Sequence, residues 1–178
     1  MARTENPVSS SIEIAASSKA LLLHVQGIEP LEAEASPKEF CGSSLLKAQI
    51  GISPMLLALS MELALKAWIV YDGTKPNVPR DHDLSELFSY TSSATQERLK
   101  ARYDIEISPR HPSPFPKDNG LEHILKDARK AFVDWRYAYE LDNARFDVGV
   151  FKETIELVLS EFESEIIVVK HMPPLSRL

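Results

Sequence analysis

The stretch Ser53–Tyr71, SPMLLALSMELALKAWIVY, is apolar on almost every face, and only Ser60, Glu62 and Lys66 interrupt it. A helix that is apolar all round has to be buried on all sides. We therefore expect this stretch to be the central helix of a bundle, with residues such as Leu63 in its core. The rest of the chain would then pack around it.

A membrane span is the alternative interpretation of this stretch, because its apolar length is about right for one. Glu62 and Lys66 lie near its middle, where each charge costs roughly 2.5–3.5 kcal/mol while each Leu returns only about 0.5 kcal/mol. The two charges are spaced i, i+4 in the favourable order. Buried together, they have to pair with each other or with groups on other helices. We expect a buried pair, with Arg136 or His82 nearby, and no membrane contact.

The ends of the central helix carry start and stop signals. Ser53 stands where an N-cap belongs, Pro54 where a first helical residue belongs, and Gly73 where a helix stops. A preceding helix opens at Ser36–Glu39, SPKE, and should end near Gly51. The two helices are either antiparallel neighbours or one helix kinked at Pro54.

The remaining chain also reads as helices joined by loops. The predicted helices are Ser10–Gln26 stopped by Gly27, a short helix LSELFSY capped by Asp83, a helix through Tyr103 opened by a capping box at Ser93 and Gln96, Leu121–Trp135, and a last helix with an apolar stripe from Phe151 to Val169. Gly and Pro content predicts loops at 72–81 and 105–119. The expected fold is an all-α antiparallel helical bundle of five to seven helices. It would form one domain, 10–170, between flexible tails at 1–9 and 171–178.

The composition favours an ordinary cytoplasmic protein. A length of 178 residues suits one domain, and the net charge of −6 argues against a broadly basic nucleic-acid binder. Contact with a polyanion would have to be local. Cys41 is the only cysteine, so no disulfide can form within the chain, and the N-terminus shows no secretory pattern. The glutamates of the last helix read as a solvated face, namely Glu153, Glu156, Glu161, Glu163 and Glu165.

Three short motifs carry charged or aromatic side chains. They are Glu62-x-x-x-Lys66 on the central helix, His82-Asp83-Leu84-x-x-Leu87-Phe88, and Trp135-Arg136-Tyr137-Ala138-Tyr139-Glu140. Each has a structural interpretation: a core ion pair, an N-cap, and amphipathic packing after a helix. The sequence has no phosphate-binding glycine loop and no Cys/His cluster, so we expect neither a metal nor a cofactor.

Taken together and in this order, the three motifs resemble the HEPN superfamily (higher eukaryotes and prokaryotes nucleotide-binding domains). The resemblance spans roughly residues 37–162. It implies a helical bundle that forms a homodimer, and a nucleotidyltransferase as partner in a toxin–antitoxin or defence setting. It also implies that the binding residues, for RNA or a nucleotide, lie within the three motifs. They are Glu62, Lys66, His82, Asp83, Arg136, Tyr137, Tyr139 and Glu140.

The chain departs from the RNase members of that superfamily. Those members carry an Arg followed four to six residues later by a His. Here Arg80 is followed too soon by His82, and Arg102 precedes His111 by too much. Arg136 has no His downstream until His171. The expected function is therefore a non-catalytic binding or assembly module.

The alternative is a divergent, metal-independent RNase with a composite site at a dimer interface. In that alternative, Arg136, Tyr137, Tyr139 and His82 would come together from two protomers. A purely structural scaffold is the third interpretation of the same sequence.

Overall fold

The computed structural model describes residues 6–34, 40–111, 120–129, 131–134 and 147–171. These residues form seven α-helices and a one-turn 3-10 helix, and they contain no strand. The helices are α1 (Pro7–Glu34), α2 (Phe40–Asp72), α3 (Leu84–Ser89), α4 (Ser93–Glu106), α5 (Leu121–Asp127), α6 (Ala131–Asp134) and α7 (Val148–His171), and the 3-10 helix is Ser108–Arg110. The expected all-α bundle is confirmed.

The central helix is α2, and its apolar residues form the core. Leu57, Met61, Leu65 and Trp68 are fully buried, as the apolar stretch predicts. The prediction for Leu63 was wrong: its side chain is only half-buried and does not belong to the core. Even a helix that is mostly enclosed keeps one narrow side near the surface.

The two alternatives for the region before Pro54 are resolved in favour of one continuous helix, Phe40–Asp72. Ser53 does not act as an N-cap, because α2 runs through it and its buried hydroxyl has no hydrogen-bond partner among the residues that the structure describes. The stop signal was correct: α2 ends at Asp72, and Gly73 has a φ of 64°. That left-handed conformation is one that glycine adopts without steric cost.

The first helix is longer than predicted at both ends. It begins at Pro7, where the Asn6 side chain accepts a hydrogen bond from the Val8 N–H at 3.1 Å. Residues 7–9 therefore belong to the helix rather than to a flexible tail. The helix also passes through Gly27 and Pro30, and Gly27 does not have a positive φ. A glycine stops a helix only when the chain uses its left-handed conformation, and here it does not.

A pair of serines in the core joins α1 to α2. The Ser18 hydroxyl donates to the Ser60 carbonyl at 2.7 Å, and the Ser60 hydroxyl donates to the Ser18 carbonyl at 2.9 Å. Both residues are fully buried. The reciprocal bonds satisfy polar groups that would otherwise be costly in the core, and they fix how the two antiparallel helices align.

The last helix packs against α2 through aromatic rings. The Trp68 indole N–H donates to the Val158 carbonyl at 3.3 Å, and the Trp68 and Phe162 rings meet edge to face with centroids 5.2 Å apart. The predicted apolar stripe from Phe151 to Ile166 is buried. Asp147 caps this helix by accepting from the Val150 N–H at 3.0 Å. The helix extends to His171, which was expected in the tail.

Two predicted boundaries were wrong. The cap of α4 is Ser92, whose hydroxyl accepts from the Thr95 N–H, while the Gln96 side chain donates to the Thr91 carbonyl instead of completing a box with Ser93. The single helix expected over 121–135 is interrupted after α5. The Arg129 carbonyl there accepts a hydrogen bond from the Leu84 N–H at 3.2 Å, a donor outside its own helix.

Candidate functional site

The candidate site starts with two charged side chains in the middle of α2. Glu62 and Lys66 stand one turn apart, and the Lys66 ammonium donates to Glu62 Oε1 at 2.6 Å. The Glu62 side chain is only 4% exposed and the Lys66 side chain 10% exposed. The predicted buried pair is confirmed.

The second carboxylate oxygen of Glu62 reaches a residue outside α2. Glu62 Oε2 lies 2.9 Å from Nδ1 of His82. A carboxylate can only accept hydrogen bonds, so Nδ1 carries the proton that is shared with it. In the neutral ring, Nε2 is then an acceptor, and in the protonated ring it is a second donor.

The His82 ring is held on its face as well as at its edge. Its plane stacks on the Phe132 ring of α6, with centroids 5.4 Å apart and planes 29° from parallel. The imidazole nevertheless remains 49% exposed. A buried ion pair thus positions a ring that is open to solvent, which is how a binding or catalytic group is kept in one orientation.

The backbone on either side of His82 is fixed by two aspartates. Asp81 Oδ1 accepts from the His82 N–H at 2.7 Å and from the Asp83 N–H at 3.0 Å. Asp83 Oδ1 accepts from the Ser85 N–H at 2.9 Å and so caps α3, as predicted. The short segment before α3 therefore has little freedom, and the imidazole can be placed accurately.

Asp81 and the Glu86 carboxyl on α3 shift each other's pKa. The Asp83 N–H, followed by a hydrogen bond from the Glu86 carboxyl, lowers the pKa of Asp81. The same hydrogen bond to Asp81 and the charge of Asp81 raise the pKa of Glu86. Asp81 is therefore the member that stays ionised, which suits its role as acceptor for two backbone N–H groups.

The structure brings together four of the eight predicted site residues, namely Glu62, Lys66, His82 and Asp83. The other four lie outside the described residues: Arg136, Tyr137, Tyr139 and Glu140. Two contributors were missed by sequence reasoning. The sequence places Phe132 on an apolar helix face and Asp81 in a loop. Neither the helical periodicity around Phe132 nor the loop position of Asp81 indicates that both residues would contact His82.

The glutamates of α7 do not form a simple solvated face. Glu161 accepts from Arg102 at 2.8 Å, and Glu165 accepts from Arg98 at 2.5 Å, so α7 is tied to α4 by ion pairs. Glu161 is mostly buried, whereas Glu163 remains half-exposed beside Lys19. The prediction failed for the first two because the basic face of α4 packs against them.

Two further features of the described residues bear on function. The stretch Ile52–Asp72 is long and apolar enough to cross a membrane, yet 72% of its apolar window is buried inside the protein. No group of three or more His, Cys, Asp and Glu side chains in the described part of the chain could hold a metal ion.

Comparisons with known proteins identify no relative: no family model matches the chain, and no curated protein and no solved structure is significantly similar to it.

Proposed function

We propose that the protein is a non-catalytic, HEPN-like helical module that binds RNA or a nucleotide through the surface around His82. The observation that carries the proposal is the contact between the buried Glu62 carboxylate and the half-exposed imidazole. The resemblance of the three motifs supports the same assignment. It also suggests a nucleotidyltransferase as partner protein and a toxin–antitoxin or defence setting.

The energetics of the ion pair support a role beyond packing. Desolvating two charges offsets most of their attraction, and apolar residues of similar size often stabilise a core equally well. Glu62 and Lys66 are therefore poorly explained as a device for stability alone. The contact between Glu62 and His82 supplies a reason, since Glu62 uses one oxygen for Lys66 and the other for the ring.

The chemistry of the exposed ring fits a phosphate-bearing ligand. A protonated imidazole can donate from Nε2 to a phosphate oxygen, and a neutral one can accept there from a hydroxyl or a base. The backbones of two exposed arginines lie near His82. Arg80 is two residues before His82, and the Arg129 carbonyl binds the N–H of Leu84, two residues after it. Such local cations suit an acidic protein that contacts a polyanion at one place.

Binding can be measured directly with a labelled ligand. Fluorescence anisotropy at low salt would follow a fluorescein-labelled single-stranded RNA and a labelled ATP on titration with wild-type protein, His82→Ala and His123→Ala. His123 is a suitable control, because it is also a partly exposed histidine and its Nε2 lies 3.1 Å from Asp127 on the same helix. We expect His82→Ala to weaken binding roughly tenfold or more, which corresponds to about 1.4 kcal/mol or more. Absence of binding to both ligands, or equal loss in both variants, would refute the proposal.

A second function is favoured by the same contact. A carboxylate that orients an imidazole through Nδ1, and leaves Nε2 for a substrate, is an arrangement of general bases in enzymes. A divergent metal-independent RNase would use Nε2 of His82 to take the proton of a 2′-hydroxyl. RNA cleavage in the presence of EDTA that is lost in His82→Ala and kept in His123→Ala would establish this alternative.

A further inference from the structure

The His82 ring is engaged at a different nitrogen from two other histidines of the described chain. A buried carboxylate, that of Glu62, lies 2.9 Å from Nδ1 of His82. In His111 and His123 it is Nε2 that lies near a carboxylate oxygen, at 3.4 Å and 3.1 Å respectively. His82 therefore keeps Nδ1 towards the core, and the half-exposed ring presents its Nε2 edge to solvent.

The contact at Nδ1 makes Nε2 a nucleophile. Because Nδ1 carries the proton shared with Glu62, the neutral ring has its free lone pair on Nε2. A carboxylate that accepts from one ring nitrogen also raises the basicity of the other. Histidine is one of the side chains that form covalent intermediates, and such a nucleophile is activated and oriented by a neighbouring group. Glu62 is that group for His82.

The buried ion pair also suits the charge that a reaction at Nε2 creates. When Nε2 forms a new bond, the ring becomes a cation and shares its positive charge with the Nδ1–H group. Glu62 faces that group with Oε2, while its Oε1 accepts from the Lys66 ammonium at 2.6 Å. The Phe132 ring, stacked at 5.4 Å, holds the plane of the imidazole. The charge of the product is therefore stabilised by groups that are already in place.

We propose that Nε2 of His82 is a phosphoryl acceptor whose donor is a small acyl phosphate. The Nε2 lone pair forms a bond to phosphorus, and the bond from phosphorus to the acyl oxygen breaks, so that a carboxylate leaves with the electron pair. The leaving carboxylate needs no proton, and the phosphorylated ring keeps its Nδ1 proton against Glu62. The reaction thus requires from the protein only an oriented and exposed imidazole.

The two aspartates beside His82 do not close this edge to an anionic donor. Asp81 Oδ1 accepts from the N–H groups of His82 and Asp83, and Asp83 Oδ1 accepts from the Ser85 N–H. These backbone donors offset part of the negative charge of both carboxylates. Arg80, which is exposed, adds a positive charge to the same segment.

Phosphorylation would act as a switch on the surface around His82. It replaces Nε2 as donor or acceptor by a group that carries negative charge. A polyanion that binds the unmodified ring would then be repelled. This consequence rests on the proposed function, whereas the modification itself does not.

The test is incubation of the purified protein with acetyl phosphate in mildly alkaline buffer, in which an ordinary imidazole is neutral. Peptide mass spectrometry without acid measures the labelling rate at each histidine, and proton–phosphorus correlation NMR identifies the nitrogen that is labelled. We expect Nε2 of His82 to react roughly tenfold or more faster than His24, an exposed histidine of α1. His82→Ala should abolish the fast labelling, and His24→Ala should leave it unchanged.

A further variant tests the part played by the carboxylate. Glu62→Gln keeps the size of the side chain, removes its charge and should slow labelling of His82 roughly tenfold, with circular dichroism used to verify the fold. The comparison of His82 with His24 in the wild type does not depend on that variant. Equal rates at the two histidines, label on Nδ1, an acetyl group instead of a phosphoryl group, or an unchanged rate in folded Glu62→Gln would overturn the proposal.

The labelling assay contains no RNA, so its result is independent of the proposed binding function. Anisotropy of labelled RNA with phosphorylated and unmodified protein then measures the switch. Loss of RNA affinity on phosphorylation supports it. Uptake of the phosphoryl group by a protein that binds no RNA would refute the proposed function and leave the acceptor site standing.

Discussion

Nδ1 of His82 lies 2.9 Å from Glu62 Oε2, and this contact joins a half-exposed ring to a carboxylate in the middle of the core. Lys66 occupies the other carboxylate oxygen at 2.6 Å. Core stability and surface chemistry are therefore linked through one side chain. Removing Glu62 should affect both, and removing His82 should affect mainly the surface.

Replacing Glu62 by Ala should lower the free energy of unfolding by about 3–5 kcal/mol, because it leaves the Lys66 charge buried without its partner. Urea unfolding of wild type and variant measures this. Glu163→Ala, which breaks a half-exposed pair with Lys19, is the matched control and should cost about 0–1 kcal/mol. Equal small losses in both variants would show that the buried Glu62–Lys66 pair stabilises the protein no more than an exposed ion pair does.

The Leu65→Ala change should cost about 2–5 kcal/mol, because Leu65 is fully buried in α2 and the change leaves a cavity. Leu63→Ala, two positions away on the same helix, should cost clearly less because Leu63 is only half-buried. Both values come from chemical denaturation. A larger loss for Leu63 than for Leu65 would mean that the helix is rotated relative to the structure.

Truncation of Asp83 to Ala should destabilise the protein by about 1 kcal/mol, because the Ser85 N–H loses its acceptor at the start of α3. Asp83→Asn keeps an acceptor oxygen and should stay close to wild type. Thermal unfolding followed by circular dichroism distinguishes them. A full loss in the Asn variant would mean that the charge of Asp83, rather than its hydrogen bond, stabilises the helix.

The stability of the protein in alkali should depend on Tyr103. Burial, followed by the charges of Asp104, Asp147 and Glu153, raises the pKa of Tyr103 from 10.0 to about 12. As the pH rises, the unfolded chain therefore loses this proton before the folded protein does. The stability that comes from the raised Tyr103 pKa is present in full below pH 10.0 and is lost as the pH rises towards about 12.

Tyr103→Phe removes this titration. Between pH 10.0 and about pH 12, the free energy of unfolding of the Phe variant should rise by about 2–3 kcal/mol relative to that of wild type. Each pKa unit corresponds to about 1.4 kcal/mol. Urea midpoints across the range measure the difference. A constant difference between the two proteins would contradict the raised pKa.

Local signals in the sequence predicted a large part of the fold. The apolar run identified the central helix, Gly73 its end, and Asp83 the cap of α3, because each depends on neighbours within one turn. Other boundaries depend on distant groups. The break after α5 coincides with a hydrogen bond from Leu84 to Arg129, and the pairing of Glu161 depends on Arg102 of another helix.

The candidate site was predictable to a similar extent. The i, i+4 spacing of Glu62 and Lys66 on an apolar helix required a buried pair, and the pair is present. The sequence could suggest His82 as a neighbour but could not place Phe132 on its ring. Stacking across two elements depends on how α6 packs, and a periodic pattern holds no information about that contact.

The most direct test of the account is a long-range proton–nitrogen NMR spectrum of the His82 ring in wild-type protein during titration with single-stranded RNA. We predict that Nδ1 carries a proton held there by Glu62, and that the Nε2 resonance shifts progressively as RNA is added. The His123 resonances should stay in place. A ring protonated at Nε2 instead, or a His82 Nε2 resonance that does not move at saturating RNA, would contradict the account.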